Sequence, residues 1–125
     1  MVARVQNKGL DRITTLLAAA SFWLQWGTGS GAAASANVVT TTSTTESRAS
    51  ATTGQATASV TNDKLTLAAS ITAAGSRAIT EVGAFDAAGS GSPPTGGNMD
   101  LYADFSVINL ASGDSIAFTI GVTFS

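Results

Sequence analysis

The sequence predicts a mainly β protein: an antiparallel β-sandwich or jelly-roll-like domain with one short N-terminal helix. Three observations carry that expectation. Leu65, Leu67, Ala69 and Ile71 share one parity in residues 64–72, and Ile116, Phe118, Ile120, Val122 and Phe124 share one parity in residues 115–125. This is the two-residue period of a strand with one buried face. The opposite positions of the second segment are Ser115, Ala117, Thr119, Gly121 and Thr123, small residues suited to packing and pairing rather than to chemistry. Leu10, Ile13, Leu16 and Leu17, by contrast, recur at helical spacing after Gly9, so an amphipathic helix is expected over residues 8–20. It would serve as a lid over one end of the sheet or as a docking arm for a neighbouring subunit.

The remaining elements follow in chain order. Phe22, Trp23, Leu24, Gln25 and Trp26 form a dense aromatic strand, stopped by Gly27, Thr28, Gly29, Ser30 and Gly31. Residues 32–57 are almost wholly Ala, Thr, Ser, Asn and Val, with Glu46 and Arg48 as their only charges. Such a segment favours extended structure but has little to bury alone. An edge strand is expected over residues 41–48 and another over residues 56–61, with Asn62 and Asp63 turning the chain into a strand over residues 64–74 as a hairpin. Residues 78–86 carry Ile79, Val82 and Phe85, and the parity slip between the first two predicts a bulge near Glu81 or Gly83. The Gly- and Pro-rich residues 87–97 read as an exposed loop. Residues 98–107 resume as a strand, with Met99, Leu101, Ala103 and Phe105 on one side and Asp100, Tyr102 and Asp104 on the other. After a turn, the last strand closes the sheet. The whole is one domain over residues 1–125, with residues 1–21 as arm and helix and residues 32–57 as an extended segment.

Composition restricts function. Only 11% of the residues are charged and the net charge is -2, against about a quarter charged in ordinary soluble domains. A surface so weakly charged is poorly protected against association, which points to a subunit. The chain has no His and no Cys, so Ser/His/Asp triads, thiolate nucleophiles, disulfides and the usual zinc sites are excluded. Arg4, Lys8 and Arg12 before the apolar residues 16–20 imitate a signal peptide, but Asp11 interrupts them and the run of roughly five residues is shorter than the ~7–15 required. No window approaches the ~20 apolar residues of a membrane span.

The candidate sites are few. Gly27-Thr28-Gly29-Ser30-Gly31 has the glycine content of an anion-binding loop, yet no Gly-Lys-Ser/Thr follows, and a turn leaving a strand is the favoured reading. Asp100 and Asp104 on one strand face would stand about 13 Å apart at ~3.3 Å per residue, beyond the ~5–5.5 Å and ~6.5–9.5 Å of glycosidase carboxyl pairs. With Asp86 or Asp114 they could approach Ca²⁺, although solvated or paired carboxylates are the favoured reading, and neither metal nor cofactor is expected. Because charges are scarce, Arg48, Arg77 and Glu81 are candidates for fixing register against a neighbour, together with Trp23, Thr41, Thr42, Thr44 and Glu46. Phe22 and Trp26 are expected in the core, with Trp23 at a rim or interface.

Asn7-Lys8-Gly9-Leu10, Gln25-Trp26-Gly27-Thr28-Gly29, Glu46-Ser47-Arg48, the run from Ser76-Arg77-Ala78 to Phe85-Asp86, Gly97-Asn98-Met99 and the run from Ser112-Gly113-Asp114 to Phe118-Thr119 together resemble a family of small tailed-bacteriophage virion structural proteins. The likeness spans nearly the whole chain, with residues 40–45 blander than the family pattern. It implies a virion component: a capsid cement or decoration protein on the capsid surface, made in the bacterial cytoplasm. Its expected partners are the major capsid protein and itself, as dimer or trimer, with neither nucleic acid nor membrane involved. The alternative is a tail, collar or fibre-associated or receptor-binding protein, with Trp23, Tyr102 and residues 87–97 contacting glycans. No enzymatic activity is expected.

Overall fold

Two antiparallel sheets face each other across an apolar core, in a computed structural model that describes residues 1–39 and 44–125. After helix α1 (Asn7–Ala18) come β1 (Trp23–Gly27), β2 (Ala49–Ser50), β3 (Thr52–Ala56), β4 (Lys64–Thr72), β5 (Arg77–Phe85), β6 (Met99–Leu110) and β7 (Ser115–Thr123). One sheet has the order β2-β1-β5-β6 and the other β3-β4-β7. The expected mainly β, sandwich-like class is therefore the one observed. The alternating residues of the sequence become its inner faces: Leu24 and Trp26 from β1, Ile79, Val82 and Ala84 from β5, Leu65, Leu67 and Ile71 from β4, and Phe118 from β7. Trp26 meets Phe118 edge-on with ring centroids 6.5 Å apart, and Phe105 tilts against Phe118 at 6.1 Å, separations typical of favourable aromatic pairs. Each large side chain removed from water contributes about 1.5–3 kcal/mol, so this layer supplies most of the drive to fold.

Helix α1 packs against β3 and β4, as a lid requires. Leu10 and Thr14 are buried, and Leu17 lies on the core, whereas Leu16 is 64% exposed. Polar bonds fix the helix: Gln55 Nε2 donates to Thr14 Oγ1 at 2.7 Å, Thr53 Oγ1 to the Ala18 carbonyl at 2.6 Å, and Asn62 Nδ2 to Asp11 Oδ1 at 3.0 Å.

Three expectations are corrected. Of the edge strand expected over residues 41–48, residues 41–43 lie outside the described residues, and residues 44–48 join no ladder. Thr44 and Arg48 are buried and the Glu46 side chain is nearly so, so the segment alternates as a strand does. Side-chain bonds take the place of a backbone partner, and only Ala49–Ser50 pairs with β1. Second, the strand expected over residues 56–61 lies earlier, at Thr52–Ala56. Residues 57–63 are instead the connection of the β3–β4 hairpin, because the Asp63 carboxylate accepts the amides of Ala58, Ser59 and Val60 at 2.6, 2.9 and 3.1 Å and so turns the chain. Asn62 takes φ 56° there, a left-handed conformation that Asn tolerates. Third, Met99 does not share the Leu101 face. A register shift between Ala84 and Phe85 sets Met99 opposite Phe85, on the outer side, and its sulfur fills the space where a Cβ on Gly83 would lie. The bulge expected near Glu81 is present as the other shift, between Ile79 and Glu81.

The hydrogen bonds from these amides lower the pKa of Asp63, outweighing the effect of burial, which raises it. A carboxylate whose pKa falls on folding stabilises fully above its unfolded value of ~3.9 and loses that contribution as pH falls through the lowered one. Melting followed by circular dichroism should therefore show stability dropping once the pH passes below about 4. Asp63→Asn should melt lower than the native chain at pH 7 and lose less on further acidification; an unchanged pH profile would remove Asp63 from this role.

Candidate functional site

The outer face of the four-stranded sheet carries a second layer, built around two buried charged residues, Arg48 and Glu81. Gln25, Glu81 and Phe85 all point to this side and are buried. Burial on an outer face requires a cover, which residues 29–39, 44–48 and 87–97 provide. Arg48 connects the parts. Its Nε donates to Gln25 Oε1 at 2.8 Å and its Nη1 to the carbonyls of Ala87 and Gly96, each at 2.8 Å, while Gln25 Nε2 donates to the Pro94 carbonyl at 3.3 Å. The guanidinium lies 3.7 Å from the centroid of the Phe85 ring, a stacked cation–π arrangement. Gly89, at φ +71°, leaves room for it: a Cβ there would stand 2.9 Å from Nη1. Burial pushes the Arg48 pKa down and the Asp86 carboxylate partly restores it, yet the group stays cationic because a guanidinium is not deprotonated in proteins. Among the described residues its Nη2 has no hydrogen-bond partner. The electron-rich ring beneath and the Asp86 charge nearby offset part of that omission.

A second network surrounds Glu46. Arg77 Nε donates to its Oε1 at 3.1 Å, the Ala74 amide to Oε1 at 2.9 Å, and the Trp26 indole N–H to Oε2 at 3.2 Å. Burial alone would raise the Glu46 pKa; the backbone amides, the indole and the Arg77 charge together bring it below the ordinary value. Arg77 Nη2 also donates to Thr45 Oγ1, and Thr44 Oγ1 to the Trp26 carbonyl. A third network holds the glycine-rich turn, whose amides are engaged by the chain's own carboxylates. Gly29 N–H donates to Glu81 Oε1 at 3.2 Å, Gly31 N–H to Asp104 Oδ2 at 3.0 Å, and Tyr102 Oη to Glu81 Oε2 at 2.7 Å. Those two amides are engaged by carboxyl groups of the chain itself, in keeping with the favoured turn reading.

Among the interface candidates, then, Thr44, Glu46, Arg48, Arg77 and Glu81 all make bonds within the chain, Thr41 and Thr42 lie outside the described residues, and Trp23 is half-buried on β1. Arg77 and Glu46 form an ion pair within one molecule, through Arg77 Nε. Phe22 and Trp26 are in the core as expected. The carboxylates considered for a cation have other partners: Asp86 accepts the amide and side-chain N–H of Asn98, Asp104 accepts Gly31, and Asp114 accepts the Ala111 amide. Among the described residues no three acidic groups gather around a common point.

No protein-family model, curated protein or solved structure matches this chain.

One cleft stands apart, a cavity of about 360 Å³ between the end of α1, Phe22, Leu65, Leu101 and Phe124, with Asp86 and Asp100 among its lining. Burial and the neighbouring Asp86 charge raise the Asp100 pKa, while the Asn98 bonds, foremost, lower that of Asp86. The pair is thus uneven, with Asp100 the first of the two to take up a proton. Apolar walls with acidic groups suit an aliphatic or cationic side chain better than an anion. Among the described residues no helix is long and apolar enough to cross a membrane.

Gln25 and Pro94, missed as bonding partners in the sequence, are where Arg48 makes its difference. Arg48→Lys keeps the charge but cannot hold the amide of Gln25 and two carbonyls in one plane. With bonds to a charged group worth about 1.5–3 kcal/mol each, we expect the substitution to cost about 3 kcal/mol and to raise amide exchange in residues 87–97 well before the core strands open. Equal protection of that loop in both proteins would show that Arg48 does not hold it.

Proposed function

We propose that this chain is a structural subunit of a tailed-bacteriophage virion: a capsid cement or decoration protein that binds the outer face of the major capsid lattice and stabilises the head. The observation that carries the proposal is the direction of the charges. Glu46, Arg48, Arg77 and Glu81 are turned into the molecule, in a chain with only 6 Lys and Arg and 8 Asp and Glu, which leaves long stretches of neutral, small-residue surface. Such a surface is matched to close packing against other protein, not to catalysis or to a charged ligand. The resemblance of its motifs to small phage virion proteins agrees with this. Binding to the assembled lattice and not to free subunits would make disassembly costlier by mass action, and many modest contacts on one shell act together. The protein would be made in the host cytoplasm and end on the capsid surface.

A tail, collar or fibre role with glycan contact is the second reading, favoured by the partial exposure of Trp23. Tyr102 supports it less, since its hydroxyl already serves Glu81.

Purified protein should co-sediment with heads made without it, saturating at roughly the tens to hundreds of sites a symmetric shell presents, and should improve head survival on heating. Binding confined to tails, in a handful of copies, would replace the cement reading by the second one. The arm preceding α1 exposes Met1, Val2 and Val5, so removing residues 1–5 should lower head occupancy severalfold with melting unchanged. Undiminished occupancy would exclude the arm as a contact.

A further inference from the structure

The two sheets end differently, and one end is open. On one side, β2 has 2 residues, β3 has 5, and α1 packs beside β3. On the other side lie two long edges, β6 and β7. β6 is blunted by two register shifts, by Asp100 and Asp104, and by Asn37, whose Oδ1 accepts the Met99 amide. β7 has no such protection: its 9 residues include no charge and no proline, the devices by which edge strands ordinarily avoid pairing.

The ladder shows which of its backbone groups are unused. The Ala73 amide donates to the Asp114 carbonyl and the Phe124 amide to the Asp63 carbonyl, and the register between them is continuous. In an antiparallel pair, hydrogen-bonded and non-bonded positions alternate, so the even-numbered residues of β7 bond β4. The N–H and C=O groups of Ser115, Ala117, Thr119, Gly121 and Thr123 therefore point away from it, along the free edge.

We propose that this edge is a homodimer interface, in which β7 of one copy pairs antiparallel with β7 of a second about a two-fold axis at Thr119, joining two three-stranded sheets into one continuous sheet. The sequence is self-complementary about that point. Thr119 meets the second copy's Thr119, Ala117 meets Gly121, and Ser115 meets Thr123, all outward-bonding positions with small side chains. On the inner face Ile116 meets Val122 and Phe118 meets Ile120, so apolar residues face apolar residues throughout. Those inner residues are incompletely covered in one molecule, Ile116, Ile120 and Val122 being half-buried. A neutral strand meets its own copy without charge repulsion and offers a strongly charged partner nothing to select. A like-to-like pairing of this kind is closed and forms no filament. The inference goes beyond the cement reading and does not rest on it, since it concerns the free protein.

Sedimentation equilibrium over a concentration series tests it. The native chain should have twice the 12.4 kDa monomer mass. Thr119→Lys and Thr119→Glu, which set like charges opposite each other, should each be monomeric with far-UV circular dichroism unchanged, and an equal mixture of the two should recover the dimer. Should either charged variant fail to fold, Thr119→Pro is the substitute: it removes an N–H that only the second copy would use, and it should also be monomeric. A native monomer, a native trimer, or a dimer that persists in every folded variant would overturn the proposal. Head binding by a monomeric native chain would overturn it while leaving the cement reading intact.

Discussion

The buried guanidinium of Arg48 is the constraint from which the outer layer of this protein follows. A cation in a site 7% exposed must find acceptors, because an uncompensated buried charge costs several kcal/mol. It finds them on β1, through Gln25, and at both ends of the loop after β5, through Ala87 and Gly96. Gln25 is far in the chain from Ala87 and Gly96, which close the two ends of one loop, so satisfying one side chain sets the path of residues 44–48 and of residues 87–97 over the sheet. Phe85 can then be buried on a face that would otherwise be wet, and Gly89 must be a glycine. The Glu46 network repeats the logic at the other end of the same segment, where Arg77, Ala74 and Trp26 converge on one carboxylate.

The two layers use different physics. Between the sheets, stability is apolar and non-directional, and Leu24, Leu67, Ile79 and Phe118 could exchange for residues of similar volume at modest expense. In the outer layer, few bonds do the work and each is directional, so a single substitution alters a whole loop. This division also decides what remains for the exterior. Charges drawn inward to pin the cover, Arg48 and Glu81 among them, are not available to keep molecules apart, and an exterior already poor in charge is poorer for it.

Legibility in the sequence divided along the same line. β4, β5 and β7 were readable because large residues alternate with small ones, and the parity slip from Ile79 to Val82 announced the bulge. β3 was not, since Thr52, Thr53, Gly54 and Gln55 have no apolar alternation, and their partner, Leu65–Leu67 on β4, supplies the apolar side. Asn62 and Asp63 were legible as the turn into β4, but its early start at residue 57 was concealed because its cause is one carboxylate gathering amides from earlier residues, a local competition that propensity does not report. The scarcity of charges marked Glu46, Arg48, Arg77 and Glu81 as important, and they are. What one-dimensional reasoning could not supply was that their partners belong to the same chain, for Arg77 and Glu46 are 31 residues apart and nothing in the spacing pairs them. The faces of β6 were misjudged at Met99 alone, where one register shift reversed the parity.

Size sharpens the significance of the uncovered edge. A domain of this length buries only about two-thirds of the surface its unfolded chain exposes, and here part of the shortfall is concentrated along β7, where Ile116, Ile120 and Val122 are half-buried and the outward backbone groups pair with no other strand among the described residues. Water satisfies an exposed N–H adequately, so the edge is no defect in the free molecule. It becomes an asset once a second strand arrives, because the apolar row is then covered from the side and the outward amides exchange water for carbonyls in the same step. Both gains accrue to the folded state alone, so any partner that pairs with β7 also raises the stability of the fold by mass action. Pairing along β7, as proposed, would in this way make association and stability one equilibrium.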